Sequence, residues 1–161
     1  IMRYLTDKAG GNIHDKGVIE ITSNSYQCDG NHPKNLVDYQ SINNMYASKD
    51  QKDGHICFDF KDKQNQISSY LIQSCCNRWN NNHFRNWVVE GSNDNQKWEI
   101  IDEHSNDSKL NGFDNKVAFY TKQENNFYRY IRIRQTGVSW QNNYWIYFPF
   151  LEFYGKLKLP K

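Results

Sequence analysis

Hydrophobic and polar residues alternate along several short stretches of the chain, and this pattern predicts half-buried β-strands. Residues 17–23, GVIEITS, alternate in this way and are rich in β-branched side chains. Residues 55–60, HICFDF, place Ile56, Phe58 and Phe60 on one predicted face. No stretch keeps apolar residues at the helical spacing i, i+3, i+4 and i+7, so we expect little helix.

The rest of the chain continues the strand pattern. Further strands are predicted at residues 66–74, 116–122 and 127–137, and a hairpin of two strands at 86–102. The segment 138–157 closes the chain, and Pro149 within it marks a bulge or an edge. In the hairpin 86–102, Trp87 and Trp98 open the two arms, and Gly91 lies where a side chain would obstruct close packing. We therefore expect both indoles to pack in the core between two sheets. Many short strands separated by polar turns are typical of an antiparallel β-sandwich or barrel. We expect residues 1–161 to form one such domain.

Composition and charge narrow the classes of function. Aromatic residues make up 16% of the chain, so large rings must fill much of the core. A net charge of +2 gives no electrostatic case for nucleic acid or an anionic membrane. No apolar run approaches the ~18 residues of a transmembrane helix. The chain lacks an HExxH motif, a nucleophile elbow and a paired-carboxylate pattern, so we do not expect an enzyme.

The cysteines favour a reducing compartment. Cys28, Cys57, Cys75 and Cys76 do not have the CxxC spacing of a zinc site, and free thiols are the better interpretation. The chain opens on Ile1 without a signal segment, which favours a module of a longer protein.

The order of the motifs GVIEITS, HICFDF, YLIQS, WVVEGSNDNQKWEIID, FYRYIRIRQTG and LEFYGKL resembles the discoidin, or factor V/VIII type C (F5/8 type C), domain of the galactose-binding-like superfamily. The resemblance runs from about Gly10 to Leu157. It implies an all-β fold, an antiparallel β-sandwich of the jelly-roll type. The opening GGNIHDKGVIEITS is similar to the intracellular branch of the family, and the cysteine that secreted members carry at each end is missing. This implies a cytoplasmic or cytoskeleton-associated location.

The resemblance also places ligand-binding loops at one end of the barrel, at residues 23–35, 76–85 and 139–145. The candidate residues on these loops are Tyr26, Asn31, His32, Arg78, Trp79, Asn82, His83, Trp140, Gln141, Asn143 and Tyr144. A ring can cover the apolar face of a ligand while amides and a guanidinium bind its hydroxyls or carbonyls. The alternative is that the two tryptophans plug the ends of the barrel and the amides only solvate the loops.

A structural calcium ion is a further implication of the resemblance. The matching ligands would be Asp38 and Glu152, completed by other oxygens, since calcium takes six to eight. Tyr39 stands where relatives have glycine, and the threonine that follows in them is missing, which weakens the match. Glu152 could instead pair with an arginine such as Arg132. We expect no other cofactor.

Two functions remain open from the sequence. The first is a non-catalytic binding module that mediates protein–protein interaction, an adaptor or scaffold with a protein or peptide partner in a ubiquitin-ligase or cytoskeletal assembly. The alternative is a carbohydrate-binding module that uses the same loops for galactose-type sugars. A lectin site needs an exposed ring with converging polar groups, whereas an adaptor surface would be broader.

Overall fold

The computed structural model describes residues 1–39, 44–75, 81–121 and 125–161 as an antiparallel β-sandwich. One sheet contains, in spatial order, β1 (Glu20–Ser23), β3 (His55–Asp59), β8 (Tyr130–Gln135), β5 (Trp87–Ser92) and β6 (Glu99–His104). The other contains β10 (Phe150–Lys158), β4 (Gln64–Gln73) and β7 (Lys116–Tyr120). A short pair, β2 (Tyr46–Ala47) and β9 (Tyr147–Phe148), lies beside them. The predicted fold class is confirmed.

The core lies between the two sheets and is built from alternate side chains of their strands. Phe58 of β3 meets Phe153 of β10 edge to face, with ring centroids 5.3 Å apart. Trp87 of β5 contacts Phe119 of β7 in the same manner at 5.2 Å. Aromatic rings therefore join the two layers, as the composition predicted.

The hairpin of β5 and β6 corrects one prediction. Trp87 is fully buried, but Trp98 lies on the outer face, where the Arg132 guanidinium sits 3.9 Å from its ring centroid. The register shifts between Val89 and Glu90, so that Ile101 rather than its neighbour points into the core. The bulge breaks the strict alternation on which the expectation for Trp98 rested.

Glu90 forms the main ion-pair cluster on that outer face. Its buried carboxylate binds Arg132 at 2.7 Å and Arg134 at 2.6 Å. Burial raises the pKa of Glu90, but the hydrogen bonds and charges of the two arginines outweigh it and hold the pKa below its usual value. The alternative that Arg132 pairs with Glu152 is wrong, because Arg132 is bound to Glu90.

Helix content in the described part of the chain is small, as expected: α1 (Met2–Ala9) and two short 3-10 helices, Asp29–Asn31 and Pro33–Val37. The sequence pattern did not predict α1, because two turns anchored by Met2 and Leu5 are too short to show a period. Its first amides bind Glu152 of β10. No helix among the described residues is long and apolar enough to cross a membrane.

The strand register divides the sandwich into two ends. Trp87 pairs with both Gln135 and His104, so the segments that flank these residues, 81–86, 105–115 and 136–146, meet at what we call the loop end. Ser92 pairs with Tyr130 at the opposite end of β5. The turns there, 60–63, 93–98 and 125–129, together with residues 158–159, form what we call the turn end.

Candidate ligand-binding site

Trp140 is the half-buried aromatic residue around which the loop end is organised. Its indole N–H donates to the backbone oxygen of Asp107 at 3.2 Å, and its backbone N–H donates to the oxygen of His83 at 3.3 Å. The guanidinium of Arg85 lies over the ring, with its central carbon 4.6 Å from the ring centroid. The ring is therefore fixed from two neighbouring loops.

Arg85 is held in place by amides rather than by carboxylates. Its Nε donates to Oδ1 of Asn106 at 2.8 Å, and Nη1 lies 3.5 Å from Oδ1 of Asn142. The described arginines that form ion pairs are Arg3, Arg129, Arg132 and Arg134. A guanidinium has five N–H donors, so Arg85 keeps donors for a ligand oxygen.

Asparagine side chains tie the three loops of this site together. Oδ1 of Asn86 accepts the backbone N–H of Asn106 at 2.8 Å, and its Nδ2 donates to the oxygen of Val138 at 3.0 Å. Asn142 has a φ of 61°, a left-handed angle that asparagine adopts more readily than most residues. The site is therefore set by side-chain hydrogen bonds between loops.

Comparison with known proteins identifies the family. The family model described as the F5/8 type C domain matches residues 20–149. The chain belongs to the F5/8 type C family. No curated protein sequence matches it.

Solved structures agree with this F5/8 type C fold. The module CpGH89CBM32-5 of Clostridium perfringens, in complex with GalNAc-beta-1,3-galactose, is 14% identical with a TM-score of 0.68, covering 86% of this chain and 96% of its own. The C-terminal domain of a chitobiase from Bacteroides fragilis is 21% identical with a TM-score of 0.65 over 88% and 95%. The family 32 carbohydrate-binding module of C. perfringens NanJ, in complex with galactose, is 12% identical with a TM-score of 0.64 over 88% and 95%.

Asn82 and His83 lie beneath the surface of this F5/8 type C domain. Both are buried, and their backbone oxygens accept the N–H groups of Tyr147 and Trp140. His83 is 1% exposed, and burial lowers its pKa. Neither ring nitrogen has a hydrogen-bond partner among the residues that the structure describes. Arg78 and Trp79, two other candidates on this loop, lie outside the described residues.

The candidates beside Trp140 shape its loop. Oδ1 of Asn143 accepts the N–H of Trp145 at 3.1 Å, and the N–H of Tyr144 donates to Asp50. Gln141 is exposed, and its Oε1 accepts a backbone N–H from the 81–86 loop at 3.0 Å. These residues hold the loop that presents Trp140.

The first predicted loop forms a separate cluster. Tyr26 meets His32 edge to face at 5.3 Å, and His32 packs on His14 at 4.9 Å. Nδ1 of each histidine accepts a backbone N–H, so each neutral ring carries its proton on Nε2 and keeps no free lone pair for a metal. Asn31 binds the thiol of Cys28 in the same region. A ligand-binding role for Tyr26, Asn31 and His32 stays a prediction.

A charged network that the sequence did not reveal lies under Trp140. His104 bridges two carboxylates, with Nδ1 2.9 Å from Asp107 and Nε2 2.8 Å from Asp102. Trp87 stacks on the His104 ring at 4.5 Å, and Tyr70 donates to Asp102 at 2.7 Å. Since Asp107 also binds the indole of Trp140 through its backbone, the core hairpin supports the surface site directly.

The calcium ligands expected from the resemblance do not fit in this arrangement. Oε1 of Glu152 accepts the N–H of Met2 at 2.8 Å, and Oε2 accepts the N–H of Arg3 at 2.8 Å. The negative charge of this carboxylate is thus already compensated by N–H donors of the protein, which leaves less of it for a cation. Asp38 ends the second 3-10 helix, and no group of three or more His, Cys, Asp or Glu in the described part of the chain is placed to hold a metal.

Proposed function

We propose that this domain is a carbohydrate-binding module and that it binds galactose-type sugars at the loop end, through Trp140 and Arg85. The observation that carries the proposal is the half-buried Trp140 ring under a guanidinium that is held only by amide oxygens. Sugars present apolar C–H faces to a ring, and their hydroxyls need converging donors and acceptors. Arg85, Asn106 and Asn142 provide such groups within one surface.

Two further observations support the proposal. F5/8 type C domains are binding modules, and the chain matches that family over residues 20–149. Two structures with the same fold were determined in complex with galactose-containing ligands, although at 14% and 12% identity they are similar to this chain in fold alone. The adaptor role, its ubiquitin-ligase or cytoskeletal partners and a cytoplasmic location stay predictions.

The test is calorimetric titration of the 161-residue chain with galactose, N-acetylgalactosamine and glucose. We expect Trp140→Ala and Arg85→Gln each to weaken binding of the galactose-type sugar by at least about tenfold, or about 1.4 kcal/mol. Both variants should keep the wild-type circular dichroism spectrum. Trp145→Ala is the matched control, because Trp145 is exposed on the same loop but is not the ring that Arg85 covers.

Two results would contradict the proposal. If no sugar binds the wild type, the carbohydrate function fails, and the adaptor prediction becomes the one to test with protein partners. If Trp145→Ala abolishes binding while Trp140→Ala has no effect, sugar binding stands but the site assigned here is wrong.

A further inference from the structure

The turn end carries a basic depression that the proposed function does not use. It is an open cavity of about 350 Å³ lined by Lys61, Asp62, Lys63, Gln64, Asn93, Arg129, Lys158 and Leu159. The register that pairs Lys158 with Gln64, and Ser92 with Tyr130, places it at the opposite end of the sandwich from Trp140. It is therefore a separate surface from the candidate sugar site.

The depression concentrates positive charge. Its lining includes four cationic residues and one carboxylate, Asp62, and Arg129 is also paired with Asp59 outside the lining, which leaves a formal charge of +2. The whole chain also has a net charge of +2, so the remaining charges cancel. A focused positive field in a concave surface attracts anions even when the protein as a whole is nearly neutral.

The cations differ in how far the protein neutralises them. Arg129 is paired with Asp59 through two hydrogen bonds, and Lys63, whose side chain is 14% exposed, is paired with Asp62. Lys61 donates only to the backbone oxygen of Gly17 at 2.7 Å, and the ammonium of Lys158 lies 3.8 Å from the ring centroid of Phe127. In the described chain neither Lys61 nor Lys158 has a carboxylate within 4.0 Å.

The backbone at Lys61 gives an independent observation. Six non-glycine residues of the described chain have a positive φ; five are asparagine or aspartate, and the sixth is Lys61 at 60°. Left-handed angles are unfavourable for a lysine and are tolerated by asparagine. Left-handed angles in non-glycine residues are found at functional positions more often than elsewhere, and Lys61 is one of the residues that line the depression.

The neutral side chain of Asn93, which also lines the depression, is held by hydrogen bonds within the protein. Oδ1 of Asn93 accepts N–H groups from Gln64 at 3.1 Å and from the backbone of Arg129 at 2.9 Å, and its Nδ2 donates to the oxygen of Phe127 at 3.0 Å. These bonds fix the β5–β6 turn against the strand that leads into β8. Asn93 therefore holds Gln64 and the segment 127–129, which border the depression, in one arrangement.

We propose that this depression binds an oxyanion group of a glycan, a sulfate ester or a carboxylate, with Lys61 and Lys158 as its principal contacts. An oxyanion would be bound by the ammonium donors that the protein leaves without a carboxylate. The inference deepens the carbohydrate function proposed above, because the recognised glycan would be acidic. The two sites lie at opposite ends, so they can be tested separately.

The experiment compares three oligosaccharides of similar length: a sulfated galactan, a polygalacturonate and an uncharged galactan. Binding to the chain is measured by calorimetry at low salt and again at about 0.3 M salt, where charge contacts are screened. We expect at least one acidic oligosaccharide to bind, and to bind more weakly as salt rises. Binding of the sulfated galactan would identify the oxyanion as a sulfate ester, and binding of the polygalacturonate would identify it as a carboxylate.

The variants decide where the acidic glycan binds. The double variant Lys61→Asn with Lys158→Gln should weaken its binding at least tenfold, whereas Lys49→Gln, an exposed lysine far from the turn end, should change it less than twofold. Lys61→Asn alone should keep or raise the melting temperature, because asparagine tolerates the left-handed angle, so lost binding cannot be attributed to unfolding. Trp140→Ala should leave acidic-glycan binding in place.

Three results would overturn the proposal. The first is that neither acidic oligosaccharide binds. The second is that Lys49→Gln, which removes one positive charge, lowers the affinity by half as much in free energy as the double variant, which removes two. That result would show that the affinity depends on the net charge of the protein and not on this depression. The third is that Trp140→Ala abolishes acidic and neutral binding together, in which case the oxyanion is bound at the loop end and the carbohydrate function stands without a second site.

Discussion

His104 illustrates how single residues couple the core of this domain to its surface. Burial lowers the pKa of His104, but its hydrogen bonds to Asp102 and Asp107 and their charges outweigh burial and raise the pKa. Burial raises the pKa of Asp102, and the hydrogen bonds from His104 and Tyr70 reverse that effect and lower it. Protonated His104 is thus stabilised between two carboxylates, directly under the loop that binds Trp140.

This network predicts a pH-dependent contribution to stability. A histidine whose folded-state pKa is raised contributes most below its unfolded pKa of about 6.5, and the contribution is lost as pH rises through the folded value. The stability lost in His104→Gln should therefore be largest below about pH 6.5 and shrink as the pH rises above that value. Urea unfolding of both proteins on both sides of that pH measures it.

The comparison with the variant isolates His104 from the other histidines. Burial lowers the pKa of His14, His32, His55 and His83, which makes their own contribution fall as pH falls. That opposite effect is the same in the wild type and in His104→Gln, so it cancels when their free energies of unfolding are subtracted. A difference that stays constant with pH would show that the pKa of His104 is the same in the folded and unfolded states, which would contradict the stabilisation of its charged form.

At the scale of elements, the five-stranded sheet depends most on β5. It pairs with β6 on one side and with β8 on the other, and all six of its residues are buried. Gly91 lies under the ring of Tyr128, where a Cβ would stand 2.3 Å from a ring carbon. The expectation that a side chain at Gly91 would obstruct packing is confirmed.

Gly91→Ala should therefore destabilise the domain by about 1–3 kcal/mol, the usual range for an overpacked core. The cost arises because the Tyr128 ring must move away from β5 or the strand must shift. Gly30→Ala is the control, since the nearest atom to its added Cβ is 3.8 Å away. Equal unfolding midpoints in urea for the two variants would contradict the argument.

At the scale of the whole molecule, α1 closes the sandwich through Glu152. The amides of Met2 and Arg3 bind its two oxygens, and Tyr39 donates to the neighbouring Leu151 oxygen at 3.0 Å. The N-terminal amides of a helix carry partial positive charge. They satisfy the carboxylate at the position where the resemblance implied a calcium ligand.

This arrangement predicts that the fold does not depend on calcium. Melting temperatures in millimolar calcium and in excess chelator should agree within about 2 °C, since a ligand that does not bind the folded state cannot shift unfolding. Glu152→Gln should instead cost about 1–3 kcal/mol, because its amide N–H₂ would face the donors of α1. A calcium-dependent rise in melting temperature that is lost in Glu152→Gln would restore the expected metal site.

Part of the candidate site could be found from the sequence and part could not. The loop 139–145 was identified from the resemblance to the family, and Trp140 stood out within it as an aromatic residue among amides. Arg85 was missed, because a single arginine at the end of a polar loop has no pattern of its own. Asn106 and Asn142 were missed for the same reason: their role exists only where separate loops meet.

The sequence by itself determined the longer strands, their order along the chain and most of the aromatic core. Alternation of period two and the order of the motifs are local properties, and burial of Phe58 and Trp87 follows from them. Only the tertiary structure decided which side chains meet across loops: Arg85 on Trp140, the oxygens of Glu152 on α1, and Trp98 outside the core after the bulge. The physical reason is that these contacts depend on register and loop closure, which join residues far apart in the chain.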